Sequence, residues 1–235
     1  MTEPSPISLV CLDLAGIVID DSVVERAYAE AIATQGIVPG TQDYARSMVR
    51  FDRSRGRPPA RVLRELFEAD EMRAQVAALA FDRSFRAAAQ RFGLCVPSAV
   101  ADAIGKAAGA GAQVALITVL SRSACDDLLG SLRQADLVLC ADDVPRSFPW
   151  PDPVLTAMLR LGTADVREVA VVSATEDGVL SGCRAGAGLV AGIGASPRGA
   201  AALREAGATH LLDSIAALSD LVTGFPEPGV GLDFT

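Results

Sequence analysis

An apolar run that ends at an aspartate, with a turn of small residues directly after it, constrains the fold more than any other feature. The run covers residues 8–13 and ends at Asp13, and Ala15 and Gly16 follow. This pattern is typical of a buried parallel strand, and α/β folds place their reactive groups at the C-terminal ends of such strands. The sequence therefore predicts a carboxylate at the reactive edge of a sheet.

Short apolar runs alternate with helical patterns over most of the chain. The helical stretches include 122–134 and 153–161, where apolar residues recur at helical spacing. Alternating strands and helices favour a parallel sheet that is covered on both faces. The predicted strands are 8–13, 113–118, 136–140, 168–173, 188–192 and 209–212.

The stretch 21–95 interrupts this alternation, because it contains amphipathic helical patterns and no convincing strand. We interpret it as a helical cap inserted after the first strand. Residues 1–20 and 96–222 then form the core, and 223–235, rich in Gly and Pro, form an irregular tail.

Size and composition limit the possible partners. The 235 residues, half of them hydrophobic, suffice for one sizeable core and a smaller second unit. A net charge of −8 disfavours nucleic acid and anionic membranes as partners. There is no signal-peptide pattern and no apolar run of membrane-spanning length, so we expect a cytoplasmic protein. The five cysteines are widely spaced, and we expect reduced core residues.

Four segments together resemble motifs of the haloacid dehalogenase superfamily, and of its phosphonatase-like branch most closely. They are 13–16, 118–122, 142–152 and 209–218, in the family order. The resemblance implies an α/β fold with a Rossmann-like parallel sheet core and an α-helical cap inserted after the first strand. It also implies that Asp13 is the catalytic residue, and that Thr118 hydrogen-bonds the transferring group.

The residues that surround Asp13 in the family are largely missing here. Ala15, Ala174 and Gly178 stand where relatives carry carboxylates, which are the usual ligands of Mg²⁺. Phe148 replaces the third-motif Lys or Arg, with Arg146 two residues earlier. We therefore expect no cofactor and weak or absent Mg²⁺ binding.

The Schiff-base mechanism of phosphonatases needs a lysine in the cap. The single lysine of the chain, Lys106, lies outside 21–95. The sequence therefore argues against phosphonoacetaldehyde hydrolysis by that mechanism.

The remaining polar groups suffice to bind a phosphate, sulfate or carboxylate group without a metal. Partial burial without a neighbouring cation raises the pKa of a carboxyl group, which favours a base or orienting role for Asp13. The predicted substrate-binding residues are Ala15, Gly16, Thr118, Ser121, Arg122, Arg146, Thr175, Arg50, Arg53 and Arg55.

Three functional hypotheses remain open. In the first, a repurposed enzyme acts without Mg²⁺ on a small anionic metabolite by displacement, elimination or ring closure, as in aziridine formation in bacterial natural-product pathways. In the second, the chain is an inactive subunit that works with a protein partner or as a homodimer. In the third, it is an ordinary hydrolase in which Asp177, Glu176 and Arg146 replace the lost groups.

Overall fold

The core of the protein is a six-stranded parallel β-sheet. A computed structural model describes residues 7–92, 96–129, 134–194 and 196–223. The strands are β1 (Leu9–Asp13), β2 (Gln113–Ile117), β3 (Leu137–Leu139), β4 (Val169–Ser173), β5 (Leu189–Ile193) and β6 (His210–Leu212).

Helices lie between the strands and also fill the long segment after β1. Four of them follow β1 before the next strand. These are α1 (Asp21–Ala33), α2 (Gln42–Asp52), α3 (Pro59–Leu66) and α4 (Glu71–Phe92). The others are α5 (Ser98–Gly109), α6 (Arg122–Leu129), α7 (Asp152–Leu161), α8 (Glu176–Ala185), α9 (Pro197–Glu205) and α10 (Leu218–Thr223).

The strand order β3-β2-β1-β4-β5-β6 reverses direction between β1 and β4. In open parallel sheets, a crevice forms outside the strand C-termini at the point where the order reverses, and ligands bind there. Asp13 ends β1 and pairs with Ile117 in the sheet register, and Ser173 ends β4. The topology thus brings these two polar side chains to the same crevice.

The strand β1 is buried along its whole length and supplies side chains to both faces of the sheet. Val10 and Leu12 belong to one apolar cluster, and Leu9 and Cys11 belong to another on the opposite face. The first cluster also contains the cap residues that pack between α1 and α4. Cap and sheet therefore share one continuous core.

The fold class and the superfamily resemblance agree with this architecture. Each observed strand lies within one residue, at either end, of its predicted position. The helix predicted at 122–134 extends to Leu129, and residues 130–133 lie outside the described part. So do 93–95 at the end of the predicted cap, residues 1–6, and the predicted tail apart from Thr223.

The expectation that the cysteines are core residues is wrong for Cys183. Its position on α8 faces outward, because Val179 and Gly182 occupy the side that packs on the sheet. Cys11, Cys125 and Cys140 are buried and free, and the remaining cysteine lies outside the described residues.

Among the helices of the described residues, none is both long and apolar enough to cross a lipid bilayer.

The shared core predicts that the cap depends on large buried side chains of α4. Phe81 is 1% exposed, whereas Leu79 on the same helix is 62% exposed. We expect Phe81→Ala to lower the free energy of unfolding by about 3–5 kcal/mol in urea denaturation, because a buried aromatic ring leaves a cavity. Leu79→Ala is the control, and we expect a change within about 0.5 kcal/mol. Equal effects of the two substitutions would contradict the packing.

Candidate functional site

Asp13 lies at the crevice with both carboxylate oxygens hydrogen-bonded. The residue is only 1% exposed. Its Oδ1 accepts a hydrogen bond from the amide of Ala15 at 3.0 Å. Its Oδ2 accepts from the hydroxyls of Ser173 at 2.7 Å and Thr175 at 3.1 Å. The carboxylate is therefore held in one orientation by three donors.

Burial raises the pKa of Asp13 to about 6, because water no longer stabilises the charged form. The hydrogen bonds from Ser173, Ala15 and Thr175 oppose this effect and keep the pKa from rising further. A carboxyl group with this pKa is mostly ionised at neutral pH and still accepts a proton readily. These are the properties of a general base.

The hydroxyl of Thr175 is fixed by the helix that begins after it. Thr175 is the N-cap residue of α8, and its Oγ1 accepts from the amide of Gly178 at 3.1 Å. Its own amide donates to Ser173 Oγ at 2.9 Å. The start of α8 thus positions the Thr175 hydroxyl so that it can donate to Asp13.

Ser173 occupies space that a side chain at position 178 would need. A Cβ on Gly178 would lie 2.7 Å from Ser173 Cβ and 2.9 Å from Asp13 Oδ2, and closer still to Ser173 Oγ. Real Cβ atoms essentially never approach other atoms within 3.0 Å. A carboxylate at 178, where the family resemblance places one, therefore does not fit beside Ser173.

The groups next to Asp13 do not match the requirements of Mg²⁺. This ion prefers carboxylate oxygens and water, and the neighbours of Asp13 Oδ2 are two neutral hydroxyls. Across the described residues, no group of three or more His, Cys, Asp and Glu side chains is arranged to hold a metal ion.

A cavity of about 430 Å³ opens above these residues at the C-terminal edge of the sheet. Thr175 lines the cavity, whereas Asp13 lies behind the lining and contacts Thr175. The loop 53–57 of the cap forms another wall. A Cβ on Gly56 in that loop would lie 3.1 Å from Thr175 Oγ1, so cap and core are in close contact there.

Two of the three cap arginines that line the cavity are neutralised by carboxylates. Arg55 forms ion pairs with Asp21 and with Asp52, the latter at 2.7 Å. Arg57 lies 3.4 Å from Asp177 of α8, and this pair connects the cap to the core. These ion pairs link residues of the cavity wall to one another.

Arg53 and Glu176 are the charged residues of the lining that form no ion pair with any described residue. Arg53 lies in the cap loop and is exposed to the solvent of the cavity. Glu176 lies in the first turn of α8, where the helix dipole stabilises a negative charge. Arg53 is therefore the arginine of the lining that has no carboxylate partner among the described residues.

The backbone amides after β1 have partners within the turn. The amide of Ala15 donates to Asp13, and that of Gly16 donates to the carbonyl of Ile19 at 3.1 Å. Gly16 adopts a φ of 68°, and a Cβ there would lie 3.1 Å from Ala174. The turn lines the cavity, but its two amides are not free to cradle an anion.

The structure brings seven of the eleven predicted site residues together at the cavity. Asp13 lies behind the lining, and the other six are part of it. The residues of the lining are Ala15, Gly16, Thr118, Thr175, Arg53 and Arg55.

The structure does not bring the other four predicted residues to the cavity. Each has a carboxylate partner elsewhere, and none belongs to the cavity lining. The pairs are Arg50 with Glu65, Ser121 with Asp82, Arg122 with Asp143 and Arg146 with Asp152.

Solved structures that resemble this chain share its fold. A phosphonoacetaldehyde hydrolase-like protein from Oleispira antarctica superimposes with a TM-score of 0.76 and 19% identity, over 94% of this chain and 92% of that chain. A HAD-superfamily hydrolase of subfamily IA, variant 1, from Geobacter sulfurreducens PCA superimposes with a TM-score of 0.59 and 18% identity, over 92% of this chain and 96% of that chain. CbbY from Rhodobacter sphaeroides, in complex with xylulose-1,5-bisphosphate, superimposes with a TM-score of 0.69 and 19% identity, over 89% of this chain and 95% of that chain.

The chain has the haloacid dehalogenase fold. No protein-family model matches its sequence, and no curated protein matches it. Sequence identities this low establish the architecture and leave the reaction to be argued from the site.

In the haloacid dehalogenase fold of this chain, an apolar ring stands where the resemblance places a third-motif cation. Phe148 is buried against the cluster that contains Leu9, Cys11 and Ile117. It therefore packs the sheet and carries no charge toward Asp13.

Ser173 donates a hydrogen bond to Asp13 and is not among the predicted site residues. Its position at the end of a predicted strand was readable from the sequence. Its hydrogen bond to Asp13 depends on the strand order and on the absence of a side chain at Gly178. The ion pair between Arg57 and Asp177 was also not predicted.

The raised pKa of Asp13 makes a prediction about stability. In the native protein the group binds a proton more tightly than in the unfolded chain, so its contribution to stability falls as the pH rises from 3.8 to about 6. Asp13→Asn removes this loss. We expect the free energy of unfolding of the variant, relative to that of the unsubstituted protein, to rise by up to about 3 kcal/mol as the pH increases across that window.

The measurement is urea denaturation of both proteins below, within and above the window. The difference between the two free energies of unfolding at each pH cancels the titration of all other groups. A constant effect of the amide shifts this difference equally at every pH and does not alter its pH dependence. A difference that does not change with pH would show that the carboxyl group titrates as in water.

Proposed function

We propose that this chain is an enzyme that acts without a metal ion on a small anionic metabolite, with Asp13 as the general base. Neighbours with the same fold include hydrolases, and CbbY has been solved in complex with phosphate. They support an enzymatic role and an anionic ligand. The finer assignment rests on the residues of the cavity.

The observation that carries the proposal is the cluster of Asp13, Ser173 and Thr175. A nucleophilic carboxylate needs an oxygen that faces the substrate, and Asp13 lies behind the Thr175 hydroxyl with both oxygens engaged. A general base does not need to contact the substrate directly when a hydroxyl lies between it and the cavity, because the hydroxyl can relay the proton. The arrangement therefore favours proton removal over covalent attack.

The proton takes a defined route in this proposal. A proton of the substrate moves to Thr175 Oγ1, while the hydroxyl proton of Thr175 moves to Asp13 Oδ2 over the existing 3.1 Å hydrogen bond. Thr175 is unchanged at the end, and Asp13 is protonated. Its pKa of about 6 lets it return the proton to solvent at neutral pH. The electron pair left on the substrate then drives displacement, elimination or ring closure.

The anionic group of the substrate binds at Arg53 in this proposal. A guanidinium binds phosphate, sulfate and carboxylate through two parallel hydrogen bonds. The hydroxyl of Thr118, which accepts from the amide of Leu120 at 3.2 Å, is a second polar group of the lining. Without a metal, charge on the leaving or anchoring group is offset by the guanidinium.

Two of the three displaced residues, Asp177 and Arg146, are paired elsewhere, which speaks against an ordinary metal-dependent hydrolase; the third, Glu176, is a single carboxylate that forms no ion pair with any described residue. Asp177 is paired with Arg57, and Arg146 is bound to Asp152 through two hydrogen bonds of 3.0 and 2.9 Å. Neither side chain is free to substitute for a lost metal ligand or for the lost cation.

Anion binding without metal is the test of the proposal. In sulfate or phosphate at about ten times its dissociation constant, we expect the melting temperature of the full chain to rise by about 3 °C without Mg²⁺. Arg53→Gln removes the rise. Arg50→Gln is the matched control, because Arg50 lies three residues away, outside the cavity, and pairs with Glu65. No rise, or a rise lost equally in both variants, would sink the proposal.

Mg²⁺ provides a separate prediction. We expect no change in melting temperature with Mg²⁺ alone, and no increase of the anion effect when Mg²⁺ is added, because two hydroxyls hold the position beside Asp13. The measurement is differential scanning calorimetry over a Mg²⁺ titration, with EDTA-treated protein as the reference. Saturable stabilisation by Mg²⁺ that disappears in Asp13→Asn would restore the metal-dependent hydrolase.

A further inference from the structure

The cavity extends well beyond the surroundings of Thr175. One of its walls is formed by the end of β5 and one face of α9, and the described residues of this wall include no charged or polar side chain. The β5–α9 wall consists of Ile193, Gly194, Gly199, Ala202 and Leu203. Nothing in the proton route or in the binding of an anion at Arg53 uses this surface.

Small residues keep the wall open. A Cβ on Gly194 would lie 2.9 Å from the backbone of Ala200, so the glycine lets the chain after β5 lie directly against α9. Gly199 has no side chain and Ala202 has only a methyl group. The wall therefore borders open space that larger side chains would have filled.

The opposite side of the cavity is also partly apolar. Val24, Phe51 and Pro59 of the cap line it together with the β5–α9 wall. A volume of about 430 Å³ falls in the range of small-molecule sites, roughly 300–1,000 Å³, and exceeds what one oxyanion needs. A ligand that is only a charged group would leave most of this apolar surface in contact with water.

We propose that the β5–α9 wall is an apolar subsite that binds a hydrocarbon part of the substrate. The substrate class is then an amphipathic anion, in which a sulfate, phosphate or carboxylate group is joined to an aliphatic chain of several carbons. This inference rests on the proposed function, because the anionic end is held at Arg53.

The subsite makes affinity depend on chain length. Each methylene that leaves water for an apolar wall tightens binding about fourfold. We expect this factor to repeat along a series of n-alkyl sulfates, from methyl to hexyl sulfate, until the chain has covered the wall.

The test is isothermal titration calorimetry of the full chain with methyl, propyl, butyl and hexyl sulfate, below their aggregation concentrations. In Ala202→Leu, a larger side chain fills the subsite, and we expect the dissociation constants of the series to become nearly equal. Ala201→Leu is the matched control, because Ala201 is the neighbouring, exposed residue of the same helix and does not line the cavity. We expect it to keep the fourfold factor.

A milder variant guards against misfolding of Ala202→Leu. Ala202→Ser adds one hydroxyl to the wall, and we expect it to weaken the binding of butyl and hexyl sulfate more than the binding of methyl sulfate. Circular dichroism confirms that each variant is folded before titration.

The outcomes separate the two proposals. If methyl sulfate binds through Arg53 and the affinity does not change with chain length, the subsite is overturned and the proposed function stands. The subsite is also overturned if Ala202→Leu and Ala201→Leu reduce the dependence of affinity on chain length equally. If no alkyl sulfate binds in a manner that depends on Arg53, the proposed function itself fails.

Discussion

The organisation of the sheet edge depends on a buried carboxylate that has no cation beside it among the described residues. An ionised group in an apolar interior is strongly unfavourable unless donors surround it. Here the donors are one amide and two hydroxyls. One of the hydroxyls belongs to Thr175, the N-cap residue of α8. The turn after β1, the end of β4 and the start of α8 are all arranged around Asp13.

The elements were predictable because their patterns are local. Apolar runs of about five residues, each ending near a turn, predicted the six strands, and the helical spacing in 21–95 predicted a helical segment without strands, although it did not identify α2. The position of Asp13 at the edge where the strand C-termini lie also follows, because a parallel sheet with right-handed connections brings these ends to one edge. That β1 lies where the strand order reverses is known only from the structure.

Which polar residues reach the cavity was not predictable in the same way. Arg50 and Arg53 are three residues apart, and only the one in the loop after α2 lines the cavity. The partners of Arg122 and Arg146 lie 21 and 6 residues further along the chain. Motif spacing identifies residues near a strand end, but pairing with a nearby carboxylate is a property of the folded surface.

The exclusion between Ser173 and a side chain at 178 also bears on how this site can change by mutation. Placing an aspartate at Gly178 first creates a clash with Ser173. Removing Ser173 first leaves Asp13 buried with one donor fewer. The two substitutions are therefore strongly coupled, and either single change passes through a damaged protein. A carboxylate at position 178 is therefore accessible only when residues 173 and 178 change together.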